Sequence, residues 1–162
     1  MIIYTLAIRF YHFIVRILSP FNKKAKFFTD GRKDLLKKIA LAFKNETAPI
    51  IWVHAASLGE FEQGRPVIEK LKVDFPKHKI LLTFFSPSGY ELRKDYDKAD
   101  YIFYLPCDTK SNAKEFLKLV KPSLAIFVKY EFWLNFLNQL HINKVPTLLI
   151  SGIFRPDQRF FK

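Results

Sequence analysis

Glu60 ends the run Ile51-Trp52-Val53-His54-Ala55-Ala56-Ser57-Leu58-Gly59-Glu60. The run reads as a buried strand, a turn of small residues, and a carboxylate at the start of a helix. A carboxylate so placed can take a proton from a hydroxyl within hydrogen-bond reach. Gly59 keeps side-chain bulk away, so a substrate could approach the backbone. Ser57-x-x-Glu60 is equally a capping box, in which the two side chains satisfy free N–H groups at a helix start. The pattern alone leaves both readings open: Glu60 as catalytic base, or Glu60 as cap.

Three more polar groups follow apolar runs in the same way. Ser86-Pro87-Ser88-Gly89 opens a helix whose free N–H groups could hold a phosphate or carboxylate. It also suits an ordinary serine cap with proline in the first turn. Glu131, in Lys129-Tyr130-Glu131-Phe132-Trp133, either contacts a ligand or complements a helix dipole. Arg155, after Ser151-Gly152, is either an anion contact or a solvated loop arginine. The candidate binding residues are therefore Ser57, Gly59, Ser88, Gly89, Glu131 and Arg155. Their recurrence at four strand ends argues for one crevice more strongly than any of them singly.

Neither GxxxxGK[ST] nor GxGxxG occurs, so no nucleotide fingerprint is present. Cys107 is the only cysteine, which excludes an intramolecular disulfide and a cysteine-based zinc site. His12, His54, His78 and His141 lack metal-ligand spacing, so no metal site is expected.

The elements that must hold these groups alternate. Short apolar runs at Ile50–His54, Ile80–Phe85, Tyr101–Tyr104, Leu124–Val128 and Thr147–Ile150 read as parallel strands covered on both faces. Helical spacing appears at Lys33–Phe43, Phe61–Val73, Ser88–Tyr96, Thr109–Val120 and Phe132–Leu140. Strands recurring every 20 to 30 residues with right-handed crossovers predict an α/β fold with a doubly wound parallel sheet. The segment after Ile150 holds no complete helix to cover the last strand, so the domain is expected to be cut short.

The chain has 162 residues and a net charge of +12. Residues 1–44 hold ten Lys/Arg against only Asp30 and Asp34. Ile2–Leu18 is apolar but carries Arg9, His12 and Arg16 on one helical face. Two mid-segment arginines disfavour a spanning helix, and Ser19-Pro20-Phe21 is a poor signal-peptide cleavage site. The expectation for residues 1–20 is an amphipathic helix in the plane of an anionic membrane surface, with Lys23, Lys24 and Lys26 at the headgroups. The alternative is a helix docked on its own or a partner domain. Charge concentrated beside apolar surface argues against a nucleic-acid partner.

In combination, Trp52–Glu60 with its HAxSxGE pattern, Gly31-Arg32, Thr83–Gly89, Tyr104-Leu105-Pro106-Cys107-Asp108 and Glu131-Phe132-Trp133-Leu134-Asn135 resemble the N-terminal half of the Kdo (3-deoxy-D-manno-octulosonic acid) transferases. The resemblance covers nearly the whole chain. It implies a Rossmann-like N-terminal domain of a GT-B glycosyltransferase that takes a lipid A-type acceptor. A C-terminal domain, absent here, would hold most of the CMP-Kdo donor site. The family's inverting reaction uses the glutamate of the SxGE motif, here Glu60, as general base, with no cofactor or metal. It would place the protein at the cytoplasmic face of the bacterial inner membrane, with residues 21–162 as the acceptor-binding domain and this half alone inactive. Where the family commonly reads E-T-E-L-W-P-N, this chain has Lys129 for the first acid and Leu134 for the proline. The stretch around Arg155 also departs from the family's usual N-A-R-[LM]-S. The rival reading is a non-catalytic, membrane-surface lipid-binding module of the same fold.

Overall fold

The computed structural model describes residues 2–130 and 132–153. In chain order the elements are α1 (Ile2–Leu18), α2 (Lys23–Asp30), α3 (Leu35–Ala42), β1 (Ile50–Ala55), α4 (Leu58–Asp74), β2 (Lys79–Phe84), α5 (Pro87–Arg93), β3 (Tyr101–Tyr104), α6 (Lys110–Val120), β4 (Pro122–Val128), α7 (Leu134–Ile142) and β5 (Thr147–Ile150). The five strands form one parallel sheet in the order β3-β2-β1-β4-β5. The expected α/β, Rossmann-like architecture is the one observed.

Strand β1 is buried along its whole length, as an apolar run in a sheet covered on both faces should be. Its odd and even residues feed two cores. Ile50 and Trp52 pack with α3, α6 and α7 residues such as Ile39, Phe116 and Phe136. Ile51, Val53 and Ala55 pack with Phe61 and Ile68 of α4. The chain runs outward from β1 to β2 and β3, then crosses back to β4 on the other side of β1 and on to β5. The gap between the carboxyl ends of β1 and β4 is therefore the topological switch point, the usual crevice of such sheets.

Helix boundaries depart from the periodicity in instructive ways. α4 begins at Leu58 rather than Phe61, because the Ser57–Glu60 capping box draws Leu58 and Gly59 into its first turn. α5 stops at Arg93, and Tyr96 instead packs its ring edge-on against Phe61 at 5.0 Å. α2 was not expected: its only buried residue is Phe28, too little for a visible stripe, and the Asn22 side chain caps it by accepting from Ala25 N.

α1 lies on its own domain, across the carboxyl end of the sheet. Its Tyr4 hydroxyl donates to Asp108, after β3, at 2.6 Å. Its Tyr11 ring stacks on Phe85, after β2, and His12 packs on Phe28 of α2. Burial and the nearby Arg32 charge pull His12 down to about 4, so it is neutral in this seat at neutral pH. The docked face is thus the more polar one. Ile3, Leu6, Phe10, Phe13 and Ile17, spaced by three and four, form an outward apolar stripe that Phe21 extends. Arg9, His12 and Arg16 do share one side, and with Phe13, Phe28 and Arg32 they line a hollow of about 310 Å³ beside α2. Among the described residues, no helix is long and apolar enough to cross a membrane.

Candidate active site at the carboxyl ends of β1 and β4

Backbone hydrogen bonds weld the strand-end loops together. Ser86 N donates to Ala56 O at 2.7 Å, Leu105 N to Phe84 O at 2.7 Å, and Lys129 N to Ile150 O at 2.8 Å. Lys129 and Ser151, the first residues past β4 and β5, both take left-handed φ (63° and 56°). Such backbone persists only where its surroundings enforce it.

Glu60 and Ser57 close the reciprocal capping box. Glu60 Oε2 accepts from Ala56 N at 2.6 Å and from Ser57 N at 3.2 Å. The carboxylate is therefore pinned against the end of β1 by two main-chain donors and is half-exposed, beside the switch point. The capping reading of the sequence is geometrically real. It also supplies what a base needs, a carboxylate whose position is fixed before substrate arrives.

Gly59 and Gly89 differ in kind. A Cβ on Gly59 would meet nothing within 4 Å, so its backbone faces open space. A Cβ on Gly89 would come within 2.3 Å of the buried Phe84 ring, so packing alone suffices to require this glycine. Gly59→Ala is expected to leave stability unchanged or raise it by up to about 1 kcal/mol. Gly89→Ala is expected to cost about 1–3 kcal/mol. Urea midpoints of the two variants check the contrast.

Ser86 caps α5, its Oγ accepting from Ser88 N at 3.3 Å and lying 3.0 Å from Ser88 Oγ. Ser88 is exposed and Gly89 buried. Glu131 and Arg155 lie outside the described residues.

The sequence reading missed the polar chain beneath this lip. Thr83 Oγ1, buried in β2, receives Trp52 Nε1–H at 2.8 Å and lies 2.9 Å from His54 Nδ1. His54 Nε2 accepts the indole N–H of Trp133 at 2.9 Å. An indole nitrogen only donates, so His54 Nε2 carries no proton in this pair, and the neutral ring's proton sits on Nδ1, toward Thr83. Trp133, just before α7, thereby bridges the switch point from the β4 side onto β1. Its ring also packs against Phe85, tilted by 37° with centroids 4.6 Å apart. The one available signal was that His54 alternates in register with Trp52, which puts both on the face that α7 covers. Among the described residues, no group of three or more His, Cys, Asp or Glu could hold a metal ion.

Two comparisons with known proteins bear on this arrangement. Residues 32–159 match the family model of 3-deoxy-D-manno-octulosonic-acid transferase. The chain belongs to the Kdo transferase family. A Kdo transferase of Aquifex aeolicus is 39% identical over 103 residues, covering 63% of this chain and 28% of that protein. One from Haemophilus influenzae is 32% identical over 103 residues, covering 63% and 24%. A bifunctional glycosyltransferase/methyltransferase of Fusobacterium nucleatum is 29% identical over 105 residues, covering 63% and 16%. The chain thus spans about a quarter of the length of the Kdo transferases it matches. The family match begins at Arg32 and leaves out α1 and α2, the elements that carry the outward apolar stripe and the Lys23, Lys24 and Lys26 cluster.

Proposed function

We propose that this Kdo transferase-family chain is the acceptor-binding, catalytic-base half of an inverting glycosyltransferase that moves Kdo from CMP-Kdo to a lipid A precursor. The observation that carries the reading is a coincidence of place. Glu60 stands at the carboxyl end of β1, and α1, with its apolar stripe turned outward, lies across that same end of the sheet. A lipid-linked acceptor resting in a bilayer under α1 would present its sugar hydroxyl on the side where the carboxylate waits.

In the proposed reaction the Glu60 carboxylate takes the proton of the acceptor hydroxyl as that oxygen attacks the anomeric carbon of Kdo. The bond from that carbon to the CMP phosphate oxygen breaks, and CMP leaves with the bonding pair. The open backbone at Gly59 admits the acceptor, with Ser57, Ser88, Gly89, Glu131 and Arg155 as further binding candidates. The donor is held mainly by a second domain. α1 rests its stripe among the acyl chains of an anionic inner-membrane surface, with Arg9, Arg16 and Lys23 at headgroup level.

The test uses the complete protein with CMP-Kdo and lipid A precursor in anionic vesicles. Formation of Kdo-bearing lipid and free CMP is expected. The triple variant Phe10→Ser, Phe13→Ser, Ile17→Ser should leave the vesicles and lose turnover there, yet keep it on detergent-dispersed acceptor. No Kdo transfer by the wild type would favour the non-catalytic module.

A further inference from the structure

Asp108 is 1% exposed and, among the described residues, no lysine or arginine is among the groups that bond to it or shift it. Burial pushes its carboxyl up, and the hydrogen bonds it accepts pull it back. Those bonds come from two directions. Oδ2 accepts the Tyr4 hydroxyl of α1 at 2.6 Å and Asn135 N of α7 at 3.2 Å, while Oδ1 accepts Phe136 N at 3.1 Å. Trp133, at the N-cap position, makes no side-chain cap of its own. Asp108 therefore supplies the cap of α7 from a loop far upstream in the chain, and it shares that carboxylate with α1. The Asn135 side chain repeats the link, donating to Asp108 O at 2.7 Å and reaching Thr5 Oγ1 at 3.4 Å.

The residue just ahead of this capped turn is Trp133, whose indole sits on His54 and on Phe85. Phe85 in turn packs against Tyr11 of α1. α1 thus touches the Trp133 corner at both ends, through Tyr4 and Asp108 at one end and through Tyr11 and Phe85 at the other. A buried carboxylate deprived of a donor is costly. The seat of α1 and the first turn of α7 consequently stabilise one another.

We infer that Asp108 and Tyr4 are positioning residues that couple the seating of α1 to the placement of Trp133 over His54 at the switch point. A surface that holds α1 against the domain would tighten the β4 side of the crevice, and loosening α1 would release it. The consequence for turnover rests on the proposed function; the structural coupling does not.

The test is ¹⁹F NMR of the complete protein labelled with 5-fluorotryptophan, the Trp133 resonance being assigned by its loss in Trp133→Phe. Tyr4→Phe removes one hydroxyl and keeps the ring in its place. It is expected to shift or broaden the Trp133 resonance while leaving that of the buried Trp52 unmoved, and to lower kcat about tenfold or more with little change in donor KM. Asp108→Asn should displace the same resonance further; if it does not fold, Tyr4→Phe alone decides. An unmoved Trp133 resonance in folded Tyr4→Phe overturns the inference, and a moved resonance with an unchanged kcat overturns its consequence for turnover. A moved resonance in a protein whose wild type transfers no sugar upholds the coupling and overturns the enzymatic reading instead.

Discussion

Glu60→Gln in the complete protein is expected to lower the rate of sugar transfer by about 10²- to 10⁴-fold, the usual contribution of a general base, while changing stability by under about 0.5 kcal/mol. The two effects separate because glutamine can cap as glutamate does. The amide oxygen can accept the N–H groups of Ala56 and Ser57 in place of Oε2, but it cannot take a proton. Glu60→Ala loses both functions. It should match the glutamine variant in rate and in addition cost about 1 kcal/mol, the typical worth of a helix cap. Initial rates with saturating donor and denaturant midpoints, measured on the same preparations, check the pair. If Glu60 only caps, the outcome inverts: the glutamine variant turns over like the wild type and the alanine variant loses stability alone. A wild-type rate in both variants would remove the carboxylate from the mechanism.

Much of this arrangement was legible in the sequence because it follows from local pattern. Tyr101–Tyr104 and Thr147–Ile150 are strands with the predicted bounds; β1 and β4 extend one and two residues further at one end, and β2 is shifted by one residue at both. Short apolar runs in a parallel sheet have no exposed face to blur them. The Ser57–Glu60 box was readable because its partners are three residues apart. What escaped the sequence is what tertiary contact creates. Asp108 caps a helix that begins 26 residues later, and Trp133 meets a histidine 79 residues away. No spacing rule links such pairs. α1 was read as amphipathic with its arginines as the polar side, and that much is observed. Its docking through Tyr4 and Tyr11 was not visible, since two tyrosines in an apolar run look like more of the same run. The alternatives of an interfacial helix and a docked helix turn out to be compatible: one face docks and the other remains apolar and exposed.

Arg32→Ala is expected to be the most damaging single change outside the strands, costing about 3 kcal/mol or more. Arg32 is the second residue of the Gly31-Arg32 pair, and its guanidinium donates to three main-chain carbonyls from three elements. Nη1 reaches Phe28 O in α2 at 3.1 Å, Nη2 reaches Phe85 O after β2 at 2.8 Å, and Nε reaches Leu105 O after β3 at 3.0 Å. Three rings enclose it, with Phe28 at 3.7 Å, Tyr104 at 4.7 Å and Phe85 at 5.2 Å from the guanidinium carbon. Burial draws the group down to about 9, which leaves it charged at neutral pH. Among the described residues no carboxylate pairs with it, so its charge is met by carbonyl dipoles and ring faces. Gly31 belongs to the same lock: a Cβ there would lie 2.1 Å from the Tyr104 ring. Removing the guanidinium strands three carbonyls and opens a gap between the rings. Arg32→Lys tests the geometry against the charge. An ammonium keeps the charge but cannot span three diverging carbonyls from one planar fork, so the lysine variant should recover less than half of the loss. Denaturant midpoints of the two variants decide. Full recovery by lysine would mean that charge alone holds the loops after β2 and β3 together, and a loss under about 1 kcal/mol in the alanine variant would mean that the lock is decorative. Because Phe85 also carries the Trp133 ring, the alanine variant should lose turnover at temperatures below its unfolding transition.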